Sequence, residues 1–405
     1  MKKYILLVVC LLILVGCGTK DKTEDKKVEE DNENIVDDEK NIDEIINKQL
    51  ESMTLEEKIG QMIIISYSSS TVDNNLKELL NDVKPGGFIL FKDNITTYNK
   101  TLKFIKDIKA TSDIPMFIAI DQEGGSVQRL LALQDLDVSD IPYMNDVGKT
   151  KDVDLSYSIG KVIAEELRVF GINMDFAPVL DVYSNPNNKV IGKRSFGSTS
   201  DLVSSMGLSL GAGLSDNGII PVYKHFPGHG NTSTDSHVSL PVVDKSKEEL
   251  LNLDLIPFID AINNNAEMIM IGHLAVPALT GDSTPASLSK TLVTDFLKVE
   301  LGFDGLVITD ALNMGALTNY YSQDEIYVQT VLSGVDLLLM PTDPKSAIKA
   351  IVGAVQNGTI SEERIDESVR KILKLKYEKI YTDYNTYLSK EYLNSAEHQV
   401  ILSKV

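Results

Sequence analysis

Three of the five histidines in this chain lie in one segment, residues 223–241, which reads YKHFPGHGNTSTDSHVSLP. The segment also contains an aspartate two residues before its last histidine, giving the pair Asp235 and His237. An imidazole exchanges protons near neutral pH, and a nearby carboxylate can orient it for that task. The pair is therefore a candidate acid/base catalyst. For an isolated Asp-x-His sequence, the alternative is a loop histidine that only satisfies local hydrogen bonds.

A metal site is another interpretation of this segment, because imidazole and carboxylate are common metal ligands. At their spacing, His225 and His229 would share one face of a helix. Pro227 and the glycines on both sides of His229 break such a helix. We therefore predict a site without a metal or any other cofactor, with a metal-dependent hydrolase as an alternative.

Eight short apolar runs along the chain alternate with longer amphipathic stretches. The runs lie at residues 62–65, 87–91, 116–120, 174–177, 219–223, 268–271, 306–309 and 335–340. Near-continuous apolar runs are typical of parallel strands that are buried on both faces. Eight strand–helix units predict an α/β fold, a single (β/α)8 TIM barrel. A doubly wound sheet has the same local pattern and is the alternative.

Polar residues gather where these apolar runs end. They are Asp121, Asp181, Lys224, His225, His273 and Asp310. Active sites of TIM barrels lie at the C-terminal ends of the strands, so these side chains are expected to share a pocket. For Asp310 alone, capping of a following helix is an equally good interpretation.

The overall composition restricts partners and cross-links. The 405 residues carry a formal net charge of -20 at pH 7, which would repel the phosphates of a nucleic acid. We therefore predict no nucleic-acid partner. The two cysteines, Cys10 and Cys17, both lie in the first apolar segment, so no disulfide is expected in the body of the chain.

The first residues, MKKYILLVVCLLILVGCG, have the layout of a secretory signal, with a basic start, an apolar run and small residues. Residues 14–17 resemble the bacterial lipobox, which implies that Cys17 is lipidated and becomes the mature N-terminus. An uncleaved N-terminal membrane anchor is the alternative. We expect an extracytoplasmic protein that is lipid-anchored to the bacterial cell membrane.

The composition also predicts the domain boundaries. Residues 1–17 are the predicted lipoprotein signal peptide. Residues 18–47 are dense in charged residues and asparagine with few apolar ones, which predicts a disordered charged tether, with an acidic binding tail as the alternative. The TIM-barrel domain is expected over 48–380. A C-terminal tail, 381–405, is too short for a second domain.

Several motifs together resemble family 3 glycoside hydrolases, specifically the bacterial β-N-acetylglucosaminidases of peptidoglycan recycling. Besides the segment 223–241, they are DQEGGSVQR at 121–129, GKRSFG at 192–197 and VITDALNMGAL at 307–317. The resemblance spans about residues 45–379. Many members carry a second α/β domain that supplies a glutamate as acid/base catalyst. We expect no such domain after the barrel, and therefore a different acid/base group.

The resemblance implies roles for individual residues. Asp310 would attack the anomeric carbon to form a covalent glycosyl-enzyme, hydrolysed with retention of configuration. His237 would protonate the leaving oxygen and later activate water, while Asp235 orients its imidazole. The residues implied in holding the terminal sugar are Asp121, Arg129, Arg194, Lys224 and His225.

The expected activity is that of a retaining exo-β-N-acetylglucosaminidase acting on peptidoglycan fragments or related glycans. A neutral imidazole repels an anionic nucleophile less than a carboxylate does, so a phosphorolytic enzyme is an alternative. A lipoprotein that binds sugar without turnover is another. The expected partners are the carbohydrate substrate and the membrane, and the expected state is a monomer.

Overall fold

The computed structural model describes residues 42–232 and 235–405. The predictions for the signal peptide, for lipidation of Cys17 and for most of the tether therefore lie outside the described residues. The chain divides into two compact units, Met1–Asn47 and Lys48–Val405. In the shorter unit, residues 42–47 at the end of the predicted tether are helical. Ile42, Ile45 and Ile46 provide the helical spacing of apolar residues that explains this.

The larger unit is built on eight parallel strand segments and one hairpin. The strands are β1 Ile63–Ile65, β2 Gly87–Leu90, β3 Phe117–Ile120, β4 Gln122–Gly124, β5 Val127–Gln128, β6 Met174–Asp175, β7 Ile220–Pro221, β8 Tyr223–Phe226, β9 Met268–Ile271, β10 Leu306–Thr309 and β11 Leu338–Leu339. β4 and β5 form the antiparallel hairpin. Every other strand lies in one of the eight predicted apolar runs except β8, which begins at Tyr223, the last residue of the run 219–223, and extends to Phe226.

The parallel strands close into a barrel. One sheet has the order β11-β1-β2-β3-β6-β7 and a second has the order β10-β9-β8. Only Val222 separates β7 from β8, so these two strands are parts of one segment. On the other side, where β10 meets β11, Ile308 of β10 bridges Leu337, just before β11. The TIM-barrel prediction is confirmed, and the doubly wound alternative is wrong because both edges of such a sheet would remain open.

Helices follow the strands and cover the outside of the barrel. They are Leu55–Gln61, Asn74–Val83, Tyr98–Lys109, Met144–Thr150, Val153–Phe170, Ser200–Ser215, Lys247–Glu249, Leu250–Asp254, Ile256–Asn263, Pro277–Thr280, Thr291–Glu300, Gly315–Thr318, Gln323–Ser333, Pro344–Gln356, Glu362–Lys379 and Ala396–Leu402. Short 3-10 turns lie at Lys92–Asn94, Leu130–Ala132, Gly192–Arg194, Ala286–Leu288 and Lys390–Tyr392. Within residues 42–232 and 235–405, none of the helices has both the length and the apolar character needed to cross a membrane.

The hairpin β4–β5 brings the 121–129 motif back over the end of β3. Its turn uses Gly124 and Gly125, both with positive φ (106° and 55°), a region that L-residues with side chains rarely adopt. A Cβ on Gly125 would lie 2.2 Å from a ring carbon of Tyr143. Only glycine fits this turn, which folds Arg129 back beside Asp121.

The predicted tail, 381–405, packs on the barrel. Glu166, on the helix Val153–Phe170, accepts a hydrogen bond from the backbone N–H of Asn394 at 2.8 Å. His398 is buried between Glu165 and Glu166, with ring nitrogens 2.8 and 3.3 Å from their carboxylates. Burial alone would lower the pKa of His398, but the two glutamates outweigh it and raise the pKa. The two carboxylates thus favour the charged form of His398, which attaches the tail to this helix.

Candidate active site

A pocket of about 310 Å³ opens at the C-terminal ends of the barrel strands. It is lined by seven of the eight residues predicted as catalytic or sugar-binding, namely Asp121, Arg129, Arg194, Lys224, His225, His237 and Asp310. The eighth, Asp235, contacts the ring of His237. The structure therefore brings all eight together. They come from four separate parts of the sequence, as expected for a pocket built on successive barrel strands.

A buried ion-pair cluster forms one wall of the pocket. Glu123 accepts two hydrogen bonds from Arg194, from Nε and Nη2, both at 2.7 Å. Its Oε1 also lies 2.6 Å from Nζ of Lys224, whose side chain is 3% exposed. Burial on its own would raise the pKa of Glu123, but Arg194 and Lys224 hold it well below its usual range. The two cations are therefore fixed by a carboxylate that stays ionised.

Asp121 connects this cluster to Arg129. Its Oδ1 accepts a hydrogen bond from Nζ of Lys224 at 2.9 Å, and its Oδ2 accepts one from Nη2 of Arg129 at 3.1 Å. The Arg129 guanidinium also lies over the ring of Phe91, 5.5 Å from its centroid. An alternating set of carboxylates and cations can bind hydroxyl groups as both donor and acceptor, which is what a sugar ring requires.

His225 is oriented by Asp181. Its Nδ1 lies 2.7 Å from Oδ2 of Asp181, and the other carboxylate oxygen accepts the backbone N–H of His229 at 2.6 Å. Burial would raise the pKa of Asp181, but the two histidines and these hydrogen bonds lower it below its usual value. With Nδ1 engaged, Nε2 of His225 is the ring nitrogen that can face a ligand.

Asp310 follows β10 and lines the floor of the pocket. Its Oδ1 accepts a hydrogen bond from the backbone N–H of Ala311 at 2.7 Å. Burial would raise its pKa, but His225, His273 and that N–H outweigh burial and lower it, so the carboxylate is ionised at neutral pH. The next helix, Gly315–Thr318, has Met314 as its N-cap, so helix capping by Asp310 is wrong.

His273 supports the backbone beside Asp310. Its Nδ1 lies 2.8 Å from the Ser287 hydroxyl, and its Nε2 lies 3.0 Å from the carbonyl oxygen of Ala311. Because a carbonyl only accepts, Nε2 carries the proton. Burial lowers the pKa of His273, which favours this neutral form. His273 is fully buried and contacts the chain next to Asp310, not the pocket.

The acid/base candidates lie on a more open part of the rim. Nδ1 of His237 lies 2.8 Å from Oδ1 of Asp235, which also accepts the backbone N–H of His237 at 2.9 Å. The side chain of His237 is 68% exposed and that of Asp235 is 46% exposed. Burial on its own would raise the pKa of Asp235, but the hydrogen bonds and charge interaction with His237 together outweigh it and lower the pKa. An ionised Asp235 therefore holds Nδ1, and Nε2 of His237 is free for proton exchange.

Three buried acidic residues at or near the site, Glu123, Asp181 and Asp175, were not assigned roles from sequence. Glu123 and Asp181 hold the cations and histidine described above. The third, Asp175, is buried at the end of β6, where it accepts the backbone N–H of Gln122 at 2.9 Å. Burial raises its pKa to about 8, which favours the neutral form at pH 7. Within the described residues, no group of three His, Cys, Asp or Glu side chains is arranged to hold a metal ion.

The ion-pair cluster leads to a stability prediction. Glu123→Gln keeps the shape of the side chain but leaves Lys224 and Arg194 without their shared counter-charge. We expect the free energy of unfolding at pH 7 to fall by about 3 kcal/mol, because removing one partner strands a buried charge. Urea unfolding measures this. Since the pKa of Glu123 is depressed, its contribution is present above the unfolded pKa near 4.5 and is lost only in strong acid.

Glu300→Gln is the matched control for this change. Glu300 pairs with Lys247 at 2.7 Å on the surface, where the two side chains are 51% and 44% exposed. Removing that charge should cost less than about 1 kcal/mol. Equal losses for the two variants would contradict the assigned importance of the buried cluster.

Comparisons with known proteins show what this chain resembles. Residues 54–375 match the glycosyl hydrolase family 3 N-terminal domain. Beta-hexosaminidase A of Pseudoalteromonas piscicida is 32% identical over 339 aligned residues, covering 76% of this chain and 56% of that protein, so this chain spans just over half its length. Beta-hexosaminidase LpqI of Mycobacterium tuberculosis is 31% identical, covering 79% of this chain and 82% of that protein.

A solved structure gives the same picture. The glycoside hydrolase family 3 beta-N-acetylglucosaminidase from Paenibacillus sp. superposes with a TM-score of 0.81 at 36% identity. The match covers 87% of this chain and 68% of that one. The family match over residues 54–375 includes all the barrel strands, from β1 to β11.

Proposed function

The chain belongs to glycosyl hydrolase family 3, and on that premise we propose that it is a retaining exo-β-N-acetylglucosaminidase. The observation that carries the proposal is the position of Asp310 and His237 in a single pocket, beside the polar groups around Glu123. An ionised carboxylate on the floor and a proton donor on the rim are the two groups that glycoside cleavage by double displacement needs.

In the first displacement, a carboxylate oxygen of Asp310 forms a bond to the anomeric carbon as the glycosidic C–O bond breaks. The electron pair of that bond goes to the leaving oxygen. His237 gives its Nε2 proton to this oxygen, so the aglycone departs as a neutral alcohol. Asp235 stabilises the protonated imidazole through Nδ1, at 2.8 Å. The products of this step are the free alcohol and an α-linked glycosyl-enzyme.

In the second displacement, water attacks the anomeric carbon from the side that the aglycone left. The now neutral Nε2 of His237 accepts a proton from this water, and the bond to Asp310 breaks. Two inversions give β-N-acetylglucosamine and restore both catalytic groups. The Asp121, Arg129, Lys224 and Arg194 side chains hold the sugar in place through charged hydrogen bonds to its hydroxyls.

Phosphate is the alternative to water as acceptor. His237 has no negative charge when it is deprotonated, and its side chain is 68% exposed, so an anion meets less repulsion from it than from a catalytic carboxylate. In that case a phosphate oxygen would form the new bond to the anomeric carbon as the bond to Asp310 breaks, and the product would be the sugar 1-phosphate. The choice of acceptor decides between hydrolase and phosphorylase without changing either catalytic residue.

The proposed substrate is a terminal N-acetylglucosamine on peptidoglycan fragments or a related glycan. Support comes from the names of the similar proteins, which are beta-hexosaminidases and a beta-N-acetylglucosaminidase. The pocket of about 310 Å³ is at the small end of the range for small-molecule sites, which favours one sugar at a chain end. The N-terminal sequence supports action outside the cytoplasm, by a protein lipid-anchored through Cys17.

The direct test uses the purified protein with 4-nitrophenyl N-acetyl-β-glucosaminide and with purified muropeptides, with and without phosphate. We expect release of N-acetylglucosamine, first detected by proton NMR as the β-anomer. An α-anomer would contradict the retaining mechanism. Sugar 1-phosphate formed only with phosphate would establish the phosphorylase. Tight binding of N-acetylglucosaminides in calorimetry, with no turnover, would instead indicate a sugar-binding lipoprotein.

A further inference from the structure

The loop that carries Asp235 and His237 is held against the segment that follows the nucleophile strand. The backbone N–H groups of Gly315 and Ala316 donate to the carbonyl oxygens of His237 and Ser236, at 3.2 and 3.0 Å. Each bond joins a residue of the loop, 235–239, to one of residues 315–320. We call this second segment the platform.

Two side chains of the platform extend the same contact. The amide Nδ2 of Asn319 donates to the carbonyl oxygen of Val238 at 2.9 Å. The hydroxyls of Tyr320 and Ser239 lie 2.8 Å apart. Asn319 and Tyr320 are both exposed, so these bonds are not by-products of core packing. Together with the two backbone bonds they contact four successive residues of the loop.

Gly315 sets how closely the loop approaches the platform. A Cβ at this position would lie 2.7 Å from the carbonyl oxygen of His237 and 3.0 Å from that of Val238. These contacts are shorter than the van der Waals distance between carbon and oxygen, so any side chain would push the loop away. The glycine is needed here for space alone, because its φ is not positive.

The rest of the loop has few other ties to the barrel. Oγ of Ser236 lies 3.3 Å from Nε2 of His229. The backbone N–H groups of Val238 and Ser239 donate to the carbonyl oxygen of Asp235, a bond within the loop itself. The imidazole of His237 is 68% exposed, so packing does not determine where it lies.

We propose that the platform is a positioning device for His237, in which Asn319 and Gly315 fix the distance of the imidazole from the scissile bond. The platform begins five residues after Asp310, on the segment that leaves the nucleophile strand. One segment therefore sets the position of both catalytic groups, which is necessary because displacement by about 1 Å can cost about 100-fold in rate. Neither Asn319 nor Gly315 lines the pocket, so both are positioning residues.

This inference rests on the proposed function, and its test uses the proton transfer assigned to His237. A misplaced proton donor slows the departure of a poor leaving group, such as a phenol or a sugar alcohol. The same misplacement hardly affects the departure of 2,4-dinitrophenol, which leaves as the anion and needs no proton. The ratio of kcat/KM for dinitrophenyl and phenyl N-acetyl-β-glucosaminides therefore reports on the donor alone. A general loss of folding or of sugar binding would lower both values equally.

The first variant is Asn319→Ala, with Asn264→Ala as its matched control. The amide of Asn264 also donates to a backbone carbonyl at an exposed helix end, that of Asp260 at 2.8 Å, but has no tie to the loop. For Asn319→Ala we expect about a 10-fold loss on the phenyl substrate, as for one lost hydrogen bond. The loss on the dinitrophenyl substrate should be under about 2-fold. Asn264→Ala should change neither value.

Gly315→Ala tests the close approach. The added methyl group should displace the loop, with about a 100-fold loss on the phenyl substrate and a much smaller one on the dinitrophenyl substrate. Asn319→Gln, which keeps the donor on a longer side chain, should regain part of the activity that Asn319→Ala loses. Melting temperatures of all variants, measured by circular dichroism, should match the parent within a few degrees.

The outcomes separate this inference from the function on which it rests. An active parent in which Asn319→Ala behaves like Asn264→Ala would overturn the inference and leave the function intact. Equal losses on both substrates would also overturn it, since they indicate damage unrelated to proton donation. A parent protein that cleaves neither glycoside would overturn the proposed function, and the inference with it.

Discussion

Asp310→Ala is expected to lower kcat/KM for 4-nitrophenyl N-acetyl-β-glucosaminide by at least about 10⁴-fold, the largest effect of any single change in this protein. The carboxylate is the only group proposed to form a bond to the anomeric carbon, and the other carboxylates that line the pocket, Asp121 and Glu123, are held by Lys224. Its pKa lies below the usual value because His225 and His273 outweigh the effect of burial, so the group lost is an ionised nucleophile. Initial rates with the purified variant measure the effect.

The stereochemistry of rescue makes this prediction specific. With the side chain shortened, azide can enter the space on the floor of the pocket and displace the aglycone directly. A single inversion of the β-glycoside then gives the α-glycosyl azide, which NMR identifies. N-acetylglucosamine and its glycosides should still bind to the variant, because the ion-pair cluster around Glu123 is unchanged. Near-parental activity without azide would exclude Asp310 as the nucleophile and require another carboxylate in the pocket.

The barrel could be predicted from the sequence because of how its strands are buried. A parallel strand covered on both faces needs an apolar residue at each position, so β2, β3, β9 and β10 appear as continuous apolar runs. The polar side chains at their ends, such as Asp121 and Asp310, then mark the pocket. The local pattern could not distinguish a closed barrel from an open sheet. That choice depends on the pairing of Ile308 with Leu337, which closes the barrel. Such a pairing between distant residues leaves no periodic pattern in the sequence.

Glu123 shows why part of the site could not be predicted. In sequence it stands within a glycine-rich turn, where a charged residue usually faces solvent. Its burial depends on Arg194, 71 residues away, and on Lys224. A carboxylate can be buried only when such counter-charges are present. The role of Glu123 could therefore be assigned only once the fold was known. Asp181 is similar, since its partner His225 is 44 residues distant.

The acid/base loop, 235–239, could be predicted from the sequence only in part. The Asp235 and His237 pair is local, and its hydrogen bond at 2.8 Å follows from the Asp-x-His spacing. The contact that fixes the loop on the barrel is not local, because Asn319 lies 81 residues from Val238. Sequence could therefore identify the proton donor, but not the platform that holds it.

His237→Ala is expected to lower kcat/KM for phenyl N-acetyl-β-glucosaminide by about 10³-fold, within the range for loss of a general acid/base catalyst. The loss should shrink to about 10-fold or less for the dinitrophenyl substrate, whose leaving group needs no proton. Val238→Ala is the matched control, since Val238 is the next residue of the loop and its side chain is 68% exposed. That change should leave both rates within about 2-fold of the parent.

Azide should again accelerate the variant, but with the opposite stereochemical result. In His237→Ala the nucleophile is intact, so the dinitrophenyl substrate still forms the α-linked glycosyl-enzyme. Hydrolysis of this intermediate is then slow, because no base activates the attacking water. Azide needs no base and attacks this intermediate, giving the β-glycosyl azide after two inversions. Azide thus yields opposite anomers from the two variants. The reason is that Asp310 forms the bond to the anomeric carbon, whereas His237 only transfers a proton. An α-azide from both would show that His237 does not serve the second displacement.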